Sequence, residues 1–341
     1  MNVSDYDYNL PQDLVAIEPP IKRGGSKLLC LSLQNNIFQD KFYVDLADHF
    51  EEGDTIVLND TRVIKARLKV KKESGVEREI VVLEKHSFDD DWHRHKIMYR
   101  KKINVGEKLF VGDATLIVEG IEGDGLAIIR SNRDLLSLTD AYGEVPLPPY
   151  MHRDAKPLDI ERYQTIWAKD RGSVAAPTAS LNMTAEILSS LRDKGVNIVY
   201  LTLHVGLGTF LPIRSDRLEE HHMHKEFFVI PKDTISRIQS TKKSGKKVIA
   251  IGTTVARTLE YANKFIIQPA KDISGEADIF IYPGYKFKSI DGLLTNFHAP
   301  KSTVLMLTAA FVGWDKLLSA YNHAVDKKYN FLSYGDSMLI I

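Results

Sequence analysis

Between residues 63 and 130 apolar and polar side chains alternate in short runs broken by turns. A period of two puts the apolar set on one face of an extended chain and the polar set on the other, as in a half-buried strand. The runs are 63–71, 79–84, 92–99, 108–111, 115–120 and 126–130, with Ser74-Gly75, Gly112-Asp113 and Gly123-Asp124-Gly125 as turn signals between them. Several short strands in succession predict a small β-barrel. Pro146, Pro148 and Pro149 mark its end.

After Tyr150 the period lengthens. Thr184 is a plausible N-cap, Ile187, Leu188 and Leu191 form an apolar stripe at helical spacing, and Gly195 stops the helix. Residues 196–203 then read as a mostly apolar strand. The unit repeats: a helix over 233–243 ending at Gly245, a strand at 248–251, and a helix from Val255. Residues 277–281 and 292–294 read as further strands, and 304–313 and 314–325 as helices. Alternating helix and strand predict an α/β domain with a mostly parallel sheet. Residues 27–33 and 55–58 are strand-like and complete that sheet. The expected organisation is an α/β catalytic domain of residues 1–60 and 151–341, with residues 61–150 inserted as a β-barrel domain.

The hydrophobic fraction of 44% is enough for a sizeable core, yet no apolar run reaches the ~18 residues a membrane span needs. The start of the chain, acidic and polar, does not read as a signal peptide. One cysteine, Cys30, rules out an internal disulfide or a Cys-rich metal site and suits a reducing compartment. A cytoplasmic protein with no membrane partner is expected. The 45 basic and 45 acidic residues cancel, so a nucleic-acid partner would have to be held by a local patch. One candidate stands out. Lys65, Arg67, Lys69 and Lys71 alternate with Ile64, Ala66, Leu68 and Val70, which puts four cations on one strand face. They are either a solvated outer face or a phosphate track.

Several predicted strands run into compact polar or Gly-rich loops. These are His204–Phe210 with Gly206 and Gly208, Gly252-Thr253-Thr254, Tyr282-Pro-Gly-Tyr285, and Thr295-Asn-Phe-His298. Ligands of α/β sheets bind outside the carboxyl ends of the strands, so four such loops on one edge predict a shared pocket. Each also has an ordinary structural reading: a tight turn, a helix N-cap, a packed core histidine. His222, His224 and Glu226 would share a face if their segment were a strand. A zinc site wants three or four converging ligands, so no metal is expected.

At this point a resemblance enters. It rests on Leu58-Asn-Asp-Thr-Arg-Val63, Gly143-Glu-Val-Pro-Leu-Pro-Pro-Tyr150, Arg162-Tyr-Gln-Thr165 and Val174-Ala-Ala-Pro-Thr178, followed by Thr202–Phe210, His221 and Met223-His224. Gly252-Thr-Thr254 with Arg257-Thr-Leu-Glu260, Tyr282–Tyr285, Thr295–His298 with Pro300-Lys-Ser302, and Ser333-Tyr-Gly-Asp336 complete it. In this order, over essentially the whole length, the chain resembles the S-adenosylmethionine:tRNA ribosyltransferase-isomerase family of queuosine synthesis.

The resemblance implies transfer and isomerisation of the ribosyl group of S-adenosylmethionine onto 7-aminomethyl-7-deazaguanine at the wobble position of tRNA. Epoxyqueuosine-tRNA, adenine and methionine are the products. The donor is consumed, so no cofactor is implied. The partners implied are a tRNA with a GUN-type anticodon and S-adenosylmethionine, acting on a monomer. The sulfonium acidifies the ribose C5′ hydrogens, which calls for a base: His204, His224 and His298 are the candidates. Glu226, Tyr285, Tyr334 and Asp336 suit the sulfonium and ammonium. Thr253, Thr254 and Arg257 suit the methionine carboxylate. Asn59, Arg62, Thr178, Asn182, Gly206, Gly208 and Asn296 complete the expected substrate site, with Lys65, Arg67, Lys69 and Lys71 on tRNA. Two stretches depart from the family pattern. Ala179-Ser-Leu-Asn-Met-Thr184 replaces Ala-Gly-Leu-His-Phe-Thr, and Arg23-Gly-Gly-Ser-Lys-Leu28 replaces Arg-Asp-x-Ser-Arg-Leu. A non-catalytic tRNA-binding relative of the same fold is the alternative.

Overall fold

The computed structural model describes residues 1–35, 37–206, 208, 213–263 and 271–341. Early in the chain β1 (Lys27–Leu31), β2 (Phe38–Phe42) and β3 (Thr55–Asn59) form, and β4 (Thr61–Val63) follows at once. β5 (Arg67–Lys72), β6 (Glu77–Val82), β7 (Arg94–Tyr99), β8 (Lys108–Val111), β9 (Ala114–Gly123) and β10 (Leu126–Ser131) close into an antiparallel barrel in the order β10-β7-β6-β5-β8-β9. The alternation explains it: Leu68, Val70, Ile80, Val82, Ile97, Leu109, Leu116 and Ile129 are fully buried inside, while Lys69 and Lys71 face water.

The predicted strand 63–71 is two strands. The chain turns tightly between them, the Ala66 N–H donating to the Ile64 carbonyl at 2.8 Å. This lets β4 leave the barrel and pair in parallel with β11 (Asp170–Ser173). A helix absent from the sequence reading, α1 (Leu135–Tyr142), follows the barrel, capped by the Asp134 carboxylate accepting from the Ser137 N–H at 2.7 Å.

The rest of the chain supplies α2 (Pro157–Arg162), α3 (Ala185–Asp193), β12 (Asn197–Leu203), β13 (Glu226–Ile230), α4 (Lys232–Lys243), β14 (Val248–Ile251), α5 (Thr253–Ala262), β15 (Ile273–Ala277), β16 (Gly292–Asn296), α6 (Thr303–Val312), α7 (Trp314–Asp326) and β17 (Ser337–Ile340). Among the described residues the large sheet runs β15-β13-β12-β3-β14-β16-β17-β1-β2. Its centre, β12-β3-β14-β16, is parallel as expected. The flanks are not. β13 pairs antiparallel with β12 and β15, β17 antiparallel with β16, and β2 antiparallel with β1, so the sheet is mixed. The predicted strand 277–281 lies earlier, at Ile273–Ala277, because residues 279–281 leave the sheet and Ile281 packs into the core. No single described helix is long and apolar enough to cross a membrane. α6 and α7 meet at 113°, and α6 is largely buried.

Candidate active site

Parallel strands end on one edge, and there the site is built. β14 ends at Gly252, whose φ of +101° favours a residue without a Cβ. Gly252 also caps α5 and, having no side chain, makes no cap hydrogen bond to the free N–H groups of that helix's first turn. β16 ends at Asn296, and the chain continues through His298 to Ser302. The Ser302 hydroxyl caps α6 by accepting from the Leu305 N–H at 3.3 Å. Between these helix starts lies a cavity of about 410 Å³, within the range of small-molecule sites. Ala175, Pro177, Ala179 and Val205 give it an apolar wall. Thr178, Thr253, Thr254, Asn296 and His298 supply polar groups. On another side Tyr150 donates its hydroxyl to Ser333 at 2.5 Å and accepts from the Ser333 N–H at 2.9 Å.

His298 is held from three directions. Its Nε2 lies 2.7 Å from the Thr295 hydroxyl, its N–H donates to the Tyr321 oxygen at 2.9 Å, and its carbonyl accepts from the Tyr8 hydroxyl. Burial pushes its pKa down to about 3, so the ring is neutral at physiological pH. Asn296 is 2% exposed; its amide nitrogen donates to the Asp336 carbonyl at 3.4 Å, and among the described residues its Oδ1 has no partner. Among them the Thr254 hydroxyl is also without a partner. Such groups are costly unless something completes them.

The structure places the other expected residues away from the cavity lining. His204 is turned inward: its Nδ1 lies 2.8 Å from the Thr61 hydroxyl and its ring stacks on Phe227. Its pKa too is pushed down to about 3, by burial and then by Lys85. His224 is exposed beside Gly208, where an added Cβ would lie 2.2 Å from its ring. Asn59 ties β3 to β12, donating to the Leu203 carbonyl at 2.9 Å and accepting from the Leu203 and Thr61 N–H groups. Arg62 is exposed on β4. Tyr285 donates to Glu260, and Tyr334 to Asp159. Asp336 clamps backbone, accepting from the Lys27 and Asn330 N–H groups at 2.7 Å each. Glu226 accepts from the Gly206 N–H at 2.8 Å and pairs with Arg257, both being buried. Leu207, Thr209 and Phe210 of the Gly-rich loop lie outside the described residues.

The segment before β13 is not strand, so His222, His224 and Glu226 do not share a face. Among the described residues no group of three or more His, Cys, Asp or Glu side chains converges. On β5, Arg67, Lys69 and Lys71 point outward as expected, but each meets an acid: Glu79 at 3.9 Å, Glu144 at 2.8 Å and Glu77 at 3.8 Å. Lys65 precedes the strand and donates to the Asp140 carbonyl.

Tyr150, Lys301, Ser302 and Ser333 line the cavity but were not among the expected site residues. Each lies in one of the stretches that carry the resemblance, which was the available signal. No loop-after-strand reasoning reaches Tyr150 or Ser333, because the segments that bear them come to the edge from elsewhere in the chain. The two departures from the family pattern are neighbours in space. A Cβ at Gly24 would lie 3.5 Å from the Asn182 carbonyl oxygen.

The family model described as queuosine biosynthesis protein matches residues 3–340. The chain is similar to the S-adenosylmethionine:tRNA ribosyltransferase-isomerase of Pelodictyon phaeoclathratiforme, 50% identical over 344 residues and covering 100% of both chains. The protein of that name from Sulfurihydrogenibium is 43% identical over 342 residues, again covering 100% of each. Among solved structures, the S-adenosylmethionine tRNA ribosyltransferase of Thermotoga maritima aligns with a TM-score of 0.57 at 30% identity, covering 99% of this chain and 100% of that one.

Proposed function

This chain belongs to the queuosine biosynthesis protein family, and we propose that its 410 Å³ cavity is where S-adenosylmethionine gives up its ribosyl group to tRNA. The protein is an S-adenosylmethionine:tRNA ribosyltransferase-isomerase, a transferase. Full-length similarity to enzymes of that name favours this over a non-catalytic relative. The observation that carries the assignment to the cavity is its lining. The loops after β14 and β16, the segment 175–178 and Ser333 all belong to the motifs of the resemblance, and they meet around one space.

The chemistry then distributes itself over the lining. Of the three candidate histidines, His298 lines the cavity, and we assign it to the C5′ proton. Its ring is neutral, and with Nε2–H donating to the Thr295 hydroxyl, Nδ1 is left to accept the proton. The unpaired Asn296 Oδ1 is an acceptor for an amine, such as the exocyclic group of adenine. The apolar wall excludes water from the sulfonium carbon. S-adenosylmethionine is consumed as a substrate and no further cofactor is needed.

On this reading tRNA with a GUN-type anticodon approaches the cavity, and the outer face of β5 takes phosphates. The enzyme works as a monomer in the cytoplasm. The test is incubation with S-adenosylmethionine and a tRNA carrying the 7-aminomethyl-7-deazaguanine base. Adenine and methionine should appear in equal amounts, and His298→Gln should slow their release by ~10²-fold or more. S-adenosylhomocysteine as the product, or no reaction, defeats the reading.

A further inference from the structure

The cavity carries a charge at its mouth that none of the assigned steps uses. Among the described residues Lys301 is the only lysine or arginine in the lining. Its side chain is 48% exposed, so it stands at the rim, between the cavity and water. The backbone is held there: φ is +57°, a left-handed conformation costly for a residue with a Cβ, and the N–H donates to the Tyr6 carbonyl at 3.1 Å. A lysine where glycine would sit without strain points to a task for the side chain.

The Lys301 Nζ lies 2.6 Å from Asp7 Oδ2, and Asp7 too is about half exposed. Exposed pairs of this kind are weak, so an anion arriving from solvent can displace the carboxylate. The two substrates differ in what they bring to the rim. S-adenosylmethionine brings a sulfonium and an ammonium, which a lysine repels, and its one carboxylate sits beside that ammonium. The acceptor nucleotide brings phosphates. When it puts its base into the cavity it stays joined to the RNA chain on both sides, so the phosphates remain outside, at the mouth.

We propose that Lys301 gives up Asp7 for a phosphate next to the acceptor nucleotide, and so holds that nucleotide at the cavity mouth while its amine reaches the ribosyl group. This rests on the reading of the cavity as the reaction site. Lys301 is then a positioning residue, which touches the RNA backbone and not the reacting atoms. Asp7 acts against RNA binding, because it competes for the same ammonium group.

The signs of two substitutions test it. A lysine that only latches the segment bearing Asp7 makes Lys301→Ala and Asp7→Asn act alike, since both break one pair. A phosphate contact makes them act oppositely. Lys301→Ala should weaken binding of an anticodon stem–loop RNA by roughly 10-fold and lower its salt slope by about 1, and Lys301→Arg should restore most of the loss. Asp7→Asn should tighten binding. With whole tRNA, Lys301→Ala should raise the KM and leave kcat nearly unchanged. A stem–loop with one neutral methylphosphonate, placed before or after the acceptor nucleotide in turn, locates the contact. At one of the two places wild type should lose affinity and Lys301→Ala should lose no more. Calorimetric binding of S-adenosylmethionine should be the same in all variants, which also shows that they fold. Effects of one sign in Lys301→Ala and Asp7→Asn overturn the proposal, as does an Asp7→Asn variant that binds RNA no more tightly. A fall in S-adenosylmethionine affinity matching that for RNA would give Lys301 to the donor carboxylate and overturn it too. If the RNA results hold but wild type releases no adenine, the reading of the activity fails while the phosphate contact stands.

Discussion

Asn182 is 3% exposed, and its amide nitrogen donates to the Gly335 carbonyl at 3.3 Å. That bond ties down the loop that also carries Ser333 of the cavity lining. In the family pattern this position carries histidine, which can titrate near neutral pH, whereas an amide cannot. The placement gives the residue a supporting task that asparagine performs. Asn182→His should therefore change turnover by less than ~10-fold, since one hydrogen bond is worth roughly 1 kcal/mol. Steady-state adenine release measures it. A wild-type protein that is inactive until histidine is restored would make the position catalytic.

At the scale of elements, the join between α1 and β5 is tight. A Cβ at Gly143 would lie 1.9 Å from the Lys65 carbonyl oxygen and 2.4 Å from that of Thr139. Both are backbone atoms, so neither can swing aside. The next residue, Glu144, exchanges two backbone hydrogen bonds with Arg67 at 2.9 and 3.1 Å. Gly143→Ala should thus cost about 1–3 kcal/mol or more as the helix end is pushed off the strand, seen as a lower thermal midpoint. An unchanged midpoint would mean the join is looser than drawn. The outer face of β5 invites a second test. The Lys69–Glu144 and Lys71–Glu77 pairs involve lysines that are 61% and 64% exposed. Such pairs are worth about 1 kcal/mol or less, so a phosphate can displace the glutamate. Lys69→Ala/Lys71→Ala should lower the salt slope of tRNA binding by about 1–2 without altering S-adenosylmethionine affinity. A slope equal to that of wild type would remove β5 from the tRNA footprint.

For the whole molecule, buried histidines make stability depend on pH, His204 and His298 most of all and His95 with them. His204 and His298 have folded pKa values of about 3, against an ordinary value of 6.5. Below pH 6.5 the unfolded chain takes up protons that the folded chain refuses. Stability is therefore full above pH 6.5 and falls as pH drops towards 3. Each group is worth up to a few kcal/mol at the acid end, a large share of the roughly 5–15 kcal/mol of a typical fold. The lowered carboxyl groups of Asp40 and Asp159 act in the same direction, but only below the ordinary carboxylate value of 3.8. Asp60 and Asp336, raised by burial, act the opposite way above that value, so between pH 6.5 and 4.5 the fall reflects the histidines less this offset. Urea unfolding across that range should show a falling midpoint, and His204→Gln should flatten the slope. A flat wild-type profile would contradict the burial of neutral rings.

What the sequence determined alone were features whose cause is local. The period of two in residues 63–130 makes a barrel with Leu68 and Val70 inside and Lys69 and Lys71 outside, because neighbouring side chains on a strand face opposite ways. Thr184 begins a helix because its own hydroxyl suits an N-cap. The carboxyl edge of the central strands was legible as the site because parallel strands end together. Only the tertiary structure decided which polar groups look into that space. His204 and His298 both follow strands of this edge. Yet His204 is drawn inward by Thr61 and Phe227, and His298 is held at the cavity by Tyr8 and Tyr321. β17 likewise enters between β16, antiparallel to it, and β1, parallel to it, where no local period could have put it. Beyond a strand's last residue the chain no longer fixes a side chain's direction, and partners distant in sequence choose it.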